Sequence, residues 1–123
     1  MFSRSFAAAL VLGCATLAAI AADAPAKMAG GVLVGANSMT LYTFDKDMAD
    51  SGKSVCNGPC ATAWPPLMAT AADQAMGGYS LVTRDDGGKQ WAYKGKPLYF
   101  FQGDKTAADR MGDNFKDVWH VVK

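Results

Sequence analysis

Apolar and polar positions along the chain divide into one long apolar run, followed by short stretches rich in β-formers and broken by turn residues. The run extends almost unbroken from Phe6 to Ala22 behind a single cation, Arg4. A basic residue ahead of an apolar segment that ends at small residues is the pattern of an export signal, here with cleavage points at Ala19-Ile20-Ala21 or Ala22-Asp23-Ala24. At about 17 residues, many of them alanine, it is short for a membrane span of ~20. Residues 1–24 therefore read as a signal peptide and residues 25–123 as one mature domain. Val11-Leu12-Gly13-Cys14 offers a competing detail, since lipidation of Cys14 would anchor the domain to a membrane. The apolar run continues past Cys14, which weighs against it.

Beyond Gly31 the pattern predicts six strands. Val32-Leu33-Val34 leads through the turn Gly35-Ala36-Asn37-Ser38 into Met39–Phe44. A polar loop follows from Asp45 to Pro59, and Ala61–Trp64 makes one helical turn stopped by Pro65-Pro66. The alanine-rich stretch from Met68 to Gly78 holds a short helix or an irregular segment. Tyr79–Arg84 and Lys89–Tyr93 are strands joined by a hairpin signal, Asp85-Asp86-Gly87-Gly88. Lys94-Gly95-Lys96 turns the chain into Pro97–Phe101. A second polar loop runs from Gly103 to Lys116, and Val118–Val122 closes as a terminal strand. Short strands at this spacing, without a sustained helical period, predict a mainly all-β fold: a small antiparallel sheet or a partly closed barrel.

Composition narrows the function classes. The chain has 123 residues, with 12 Lys plus Arg against 11 acidic residues and a net charge of +1. That balance gives no electrostatic case for binding nucleic acid. Every acidic residue is Asp, which favours turns and caps over helix interiors. An apolar share of 50% excludes a disordered tail, and the length excludes a large cofactor enzyme.

Outside the export signal two cysteines remain, Cys56 and Cys60, in Ser54-Val55-Cys56-Asn57-Gly58-Pro59-Cys60-Ala61. An even pair in an exported small domain is most simply a disulfide, and the Asn-Gly-Pro turn can bring their Cα atoms within the ~4.4–6.8 Å that the bond needs. A redox-active pair and a metal site are the alternatives. The spacing has three intervening residues where a thioredoxin-type pair has two, and no Cys-x-x-Cys-His haem motif is present. Zinc would need further ligands, and His120 is the single histidine.

The chain also echoes itself. Leu41-Tyr42-Thr43-Phe44-Asp45-Lys46-Asp47 aligns without gaps on Leu98-Tyr99-Phe100-Phe101-Gln102-Gly103-Asp104. A polar loop and then a Trp segment follow each heptad: Trp64-Pro65-Pro66-Leu67 in one half, Trp119-His120-Val121-Val122 in the other. Two such units, each with an apolar face too small to bury alone, share one core, with Tyr42, Phe44, Trp64, Tyr99, Phe101 and Trp119 as its large parts. Asp47 and Asp104 are placed to accept backbone N–H groups from the loops they open.

These residues carry a resemblance. Tyr42-x-Phe44-x-x-Asp47 and Tyr99-x-Phe101-x-x-Asp104 resemble the Tyr-x-aromatic-x-x-Asp signature of a family of bacterial secreted-repeat proteins and predicted lipoproteins. The segment Ser54 to Leu67 is similar to that family's cysteine segment, and Val118–Val122 to its usual ending. At Gly112-Asp113-Asn114 this chain departs from the family's frequent Gly-Asp-Gly, which makes the backbone of that turn an open point. The resemblance implies an exported domain of unassigned biochemical role and supplies no substrate, cofactor or catalytic residue.

Candidate chemistry is sparse. His120 is the one possible general base, and it sits in an apolar strand with no nucleophile in a recognisable arrangement, so no catalytic residue is assigned. Asp45, Asp47 and Asp50 in the first loop, and Asp104, Asp109 and Asp113 in the second, are weak calcium candidates, because neither loop has EF-hand spacing. Scattered methionines with His120 are a weaker copper(I) candidate. Tyr79, Trp91 and Tyr93 are placed to share a sheet face and stack on a ligand. The expectation is a periplasmic or secreted non-enzymatic binding or structural module without a cofactor, its partner an envelope protein or small ligand. A metal-binding or thiol-redox accessory protein is the alternative.

Overall fold

The computed structural model describes residues 23–123. The export-signal reading of residues 1–24 lies outside them apart from Asp23 and Ala24, as does Cys14. The described residues form eight short strands in three small antiparallel sheets. β1 (Ala26–Ala29) and β2 (Val32–Gly35) make a hairpin. Its turn, Gly30-Gly31, has φ of 58° and 85°, values that glycine reaches without a Cβ penalty. β3 (Tyr42–Phe44) pairs with β8 (Trp119–Val121), with Tyr42 opposite Val121 and Phe44 opposite Trp119. The third sheet is built on β6 (Lys89–Tyr93). β5 (Tyr79–Thr83) lies along one edge, and β4 (Met68–Ala69) and β7 (Lys96–Pro97) share the other.

The hairpin expected at Asp85-Asp86-Gly87-Gly88 is present, closed by the Arg84 N–H donating to the Gly88 carbonyl at 2.8 Å. A five-residue helix, α1 (Pro59–Ala63), has Pro59 in its first turn, where a missing N–H costs nothing, and it stops ahead of Pro65-Pro66. Three differences from the sequence pattern have physical causes. β1 carries Ala-Lys-Met-Ala, a weak strand former, and is held by its ladder to β2. Met68–Gly78 gives the two-residue strand β4 and then turns, since Met68 and Ala69 are captured by the free edge of β6. Leu98–Phe101 is not a regular strand, because Tyr99 bridges Tyr42 and Pro66 in single contacts. The sheets of the described residues do not close into a barrel.

The two echoed heptads meet. The Tyr42 N–H donates to the Tyr99 carbonyl at 2.7 Å, and the Tyr99 N–H returns the bond to the Tyr42 carbonyl at 2.9 Å. Outward from this bridge the contacts repeat in pairs. The Asp45 N–H reaches the Val118 carbonyl at 2.8 Å, and the Gln102 N–H reaches the Ala63 carbonyl at 2.9 Å. Leu33 donates to Val122 at 2.8 Å, and Trp91 to Leu67 at 2.9 Å. An approximate two-fold axis thus passes through the Tyr42–Tyr99 bridge. Each half lends its heptad to the Trp segment of the other.

The core follows the same axis. The Trp64 and Trp119 indoles stack with centroids 3.8 Å apart and planes 2° from parallel. Phe101 stacks on Trp64 and Phe44 on Trp119, both at 4.2 Å, so four rings form one run across the halves. Tyr42 meets Trp64 edge-on at 5.4 Å, and Tyr99 meets Trp119 likewise at 5.2 Å. Edge-to-face and offset pairs of this kind each add roughly 0.5–1.5 kcal/mol beyond the buried area. A second apolar cluster gathers Ala26, Leu33, Leu41 and Leu98.

Candidate functional site

The aspartates that close each heptad cross to the opposite half. The Tyr42 hydroxyl donates to Asp104 Oδ2 at 2.6 Å, and the Tyr99 hydroxyl donates to Asp47 Oδ2 at 2.6 Å. Each carboxylate uses its other oxygen on its own loop: Asp47 Oδ1 accepts the Val55 N–H at 2.7 Å, and Asp104 Oδ1 accepts the Met111 N–H at 2.9 Å. Both carboxylates and both phenols are buried. Burial pushes the two tyrosine hydroxyls above their ordinary value, and the neighbouring carboxylates push further in the same direction, because a phenolate there would face a second anion.

Gly112 lies against this network. Its N–H donates to the Tyr42 hydroxyl at 3.2 Å, and a Cβ there would stand 2.6 Å from the Trp64 ring and 3.1 Å from the Tyr42 ring. Gly112→Ala is therefore expected to destabilise by about 1–3 kcal/mol through overpacking, read as a lower urea midpoint with unchanged slope. A midpoint equal to that of the parent would show that the two rings yield.

Cys56 and Cys60 are joined in a disulfide with their Cα atoms 5.2 Å apart. Cys56 is fully buried in the aromatic cluster, and Cys60 packs on its edge. Four residues before Trp119, where Cys60 stands before Trp64, the second half has Phe115. Its ring lies 5.6 Å from both Trp64 and Phe101. At this position one half thus carries a cross-link, and the other an aromatic ring that packs on the first half's Trp64 and on its own Phe101.

Sequence reasoning missed the polar group beneath the disulfide loop. Arg84, only 5% exposed, donates through Nη1 to Ser54 Oγ (3.1 Å) and Gln90 Oε1 (2.7 Å), and through Nη2 to the Cys56 carbonyl (2.6 Å) and Asn57 Oδ1 (3.2 Å). Among the described residues no carboxylate lies within ion-pair distance of it. A cation of the second half therefore holds the cysteine loop of the first through neutral acceptors. Its signal was strand alternation: Arg84 follows the buried Val82 by two residues and so shares its face. Lys96 does related work, its Nζ donating to the Phe44 and Asp47 carbonyls at 2.9 and 2.8 Å.

His120 is at the surface. Its Nε2 lies 2.8 Å from Asp45 Oδ2 and its Nδ1 lies 3.1 Å from Asn114 Oδ1. Both ring nitrogens are engaged, and among the described residues neither touches a hydroxyl or thiol. Asn114 has φ of 62°, the left-handed conformation a glycine would take, so the turn at Gly112-Asp113-Asn114 keeps that backbone. Lys116 and Asp117 follow with φ of 49° and 59°.

The six loop aspartates go to separate partners. Asp45 meets His120, Asp47 meets Tyr99 and Asp104 meets Tyr42. The Asp50 backbone N–H donates to the Gly95 carbonyl. Asp109 accepts the backbone N–H groups of Lys105 and Thr106 and the Thr106 hydroxyl, which hold its carboxyl below the ordinary value. Asp113 Oδ1 accepts the Val121 N–H. Among the described residues no three His, Cys, Asp or Glu side chains gather around a common point. Tyr79, Trp91 and Tyr93 do lie together, with Tyr79 and Tyr93 4.9 Å apart, but Trp91 is buried.

No helix among the described residues is long and apolar enough to cross a membrane. A family model described as a secreted repeat of unknown function matches residues 26–68 and again residues 80–123. The two matches fall on the two halves related by the approximate axis. No curated protein and no solved structure matches the chain.

Proposed function

Because the chain belongs to the family of secreted repeats of unknown function, we propose that residues 25–123 form a non-catalytic module of the cell envelope, exported by the segment 1–24 and serving as a periplasmic or secreted binding or structural unit. The observation that carries this reading is where the motif side chains are spent. The heptad tyrosines and aspartates are buried and bonded across the two halves, and Trp64 and Trp119 are buried and stacked across them. They hold the body together and leave recognition to exposed side chains. His120, with both nitrogens engaged by Asp45 and Asn114, supports the same reading, since a general base needs a free nitrogen beside the proton it takes. The Cys56–Cys60 disulfide supports an oxidising compartment.

One preparation tests the proposal. Protein recovered from the medium or from osmotic-shock fluid is expected to begin near residue 25 by mass, and to turn over no chromogenic ester, phosphate monoester, glycoside or peptide. Turnover that falls in His120→Ala would place chemistry at that histidine and overturn the non-catalytic reading. Recovery only from membranes, with a lipid on Cys14, would replace free export by anchoring.

A further inference from the structure

We infer that the surface each half offers to the other also fits the corresponding half of a second copy of this chain, so that two chains can exchange halves into a dimer. This goes beyond the role proposed above and does not depend on it. The contacts that close the fold run between halves: the β3–β8 ladder, the Tyr42–Asp104 and Tyr99–Asp47 bonds, the run of four rings, and Arg84 on the cysteine loop. Neither heptad pairs with the Trp segment of its own half. The approximate two-fold axis makes the contact between halves a closed, self-complementary one, as in a dimer of identical subunits. A half arriving from another chain would remake every one of these bonds and need no new surface.

What keeps the halves in one chain is the connection from Thr70 to Gly78. It is largely exposed, and its bonds up to Met76 are local: the Thr70 N–H to Asp73 Oδ2, the Asp73 N–H to the Thr70 carbonyl, and reciprocal bonds between Met76 and Tyr79; only at its far end does the Gly78 carbonyl accept the Lys94 N–H, at 2.9 Å. Opening it would uncover little apolar surface. A short tether of this kind holds the local concentration of the second half near millimolar, which favours the closed monomer in dilute solution. The tether also has a measurable minimum length. It leaves β4 where Ala69 faces Lys89 and enters β5 where Tyr79 faces Tyr93, on the opposite edge of β6. Four residues along β6 and two strand spacings across it separate those points by about 16 Å. Without Ala71–Met76, the three remaining residues span at most about 14 Å. The halves of such a chain cannot reach each other, but they can reach those of a partner.

The test uses the mature chain lacking Ala71–Met76. By light scattering it is expected to be a dimer, about twofold the monomer mass, with the near-ultraviolet circular dichroism of the parent. Exchange is then distinguished from simple association by two further chains with the same deletion, one carrying Phe44→Ala and one Phe101→Ala. Refolded together, random pairing puts about a quarter of the lobes back to the parent sequence at both positions, so the parent melting transition returns at about that amplitude. Refolded separately, neither chain shows it. The same two substitutions in the complete mature chain, refolded together at millimolar concentration, free the test from the deletion and are expected to give a dimer fraction with the parent transition. A folded monomer from the shortened chain overturns the proposal. So does a dimer without the recovered transition, or the absence of a dimer from both preparations.

Discussion

Trp119→Ala is expected to lower the free energy of unfolding by about 3–5 kcal/mol, the usual range for removing a buried large aromatic ring. Trp119 is 4% exposed and touches aromatic rings on three sides: Phe44 stacked at 4.2 Å, Trp64 stacked at 3.8 Å and Tyr99 edge-on at 5.2 Å. The lost area alone accounts for most of the range, and the aromatic pairs supply the rest. The neighbours cannot collapse into the vacated space easily, because Tyr99 is tied to Asp47 and Ser54 by its hydroxyl. A domain of this size holds about 5–15 kcal/mol in all, so roughly a fifth or more of the stability rests on this ring. The measurement is a urea titration: the midpoint falls while the slope stays near that of the parent. Trp64→Ala is expected to cost a similar amount. The double substitution should cost less than the two single losses added together, since each single change already removes the Trp64–Trp119 contact. A loss below about 1 kcal/mol would mean that the ring run does not anchor the body.

Much of this core is legible in the order of residues. The gap-free echo of Leu41–Asp47 in Leu98–Asp104 identifies the large buried parts, and strand alternation puts Tyr42 and Phe44 on one face. The hairpin at Asp85-Asp86-Gly87-Gly88 is a local event, and local turn chemistry suffices to find it. The exchange between halves is different in kind. A repeat says that two units are alike, and it is equally compatible with units that pack side by side or lend each other a strand. Only the pairing of Tyr42 with Tyr99, and of β3 with β8, distinguishes the two, and both are long-range contacts. β1 escapes notice for a related reason: Ala26–Ala29 has little strand preference of its own and is a strand because β2 pairs with it.

The polar residues show the same division. Asp47 and Asp104 open loops, which points to backbone N–H acceptance, yet nothing in either heptad reveals that the second oxygen receives a phenol from the opposite half. Arg84 sits beside two aspartates and a glycine turn, where a cation is ordinarily solvated. Its burial follows from the disulfide loop, where it donates to the Cys56 carbonyl at 2.6 Å and to Asn57 Oδ1 at 3.2 Å, while the first half itself offers that carbonyl only the Ser54 hydroxyl at 3.4 Å. His120 alternates correctly for the open side of β8, but its neighbours Asp45 and Asn114 come from two separate loops. Side chains whose partners lie on the same element are readable from spacing, whereas those whose partners are brought by the axis are not.

The crossed Tyr–Asp bonds carry the other large effect, which is seen in alkali. Tyr42 and Tyr99 are buried with their hydroxyls on carboxylates, and both titrate above the ordinary tyrosine value of 10.0 in the folded protein. Unfolded, they would release their protons near that value. Between the two limits the native state therefore binds more protons than the unfolded state, so stability falls as pH rises. The contribution of these protons is fully present below pH ~10 and is lost progressively through the folded values; each tyrosine adds a slope of about 1.4 kcal/mol per pH unit, or about 2.7 for the pair. Within roughly two to three pH units such a slope consumes a large part of a 5–15 kcal/mol total. The expected result is cooperative alkaline unfolding in which the phenolate absorbance of Tyr42 and Tyr99 rises together with the loss of near-ultraviolet circular dichroism. Tyr99→Phe removes one of the two protons, and its stability, although lower at neutral pH because Asp47 loses a donor, should decline more gently above pH ~10. An identical decline in parent and variant, or full phenolate absorbance in a protein that is still folded, would mean that the hydroxyls are open to solvent and that the crossed bonds do not hold the halves together.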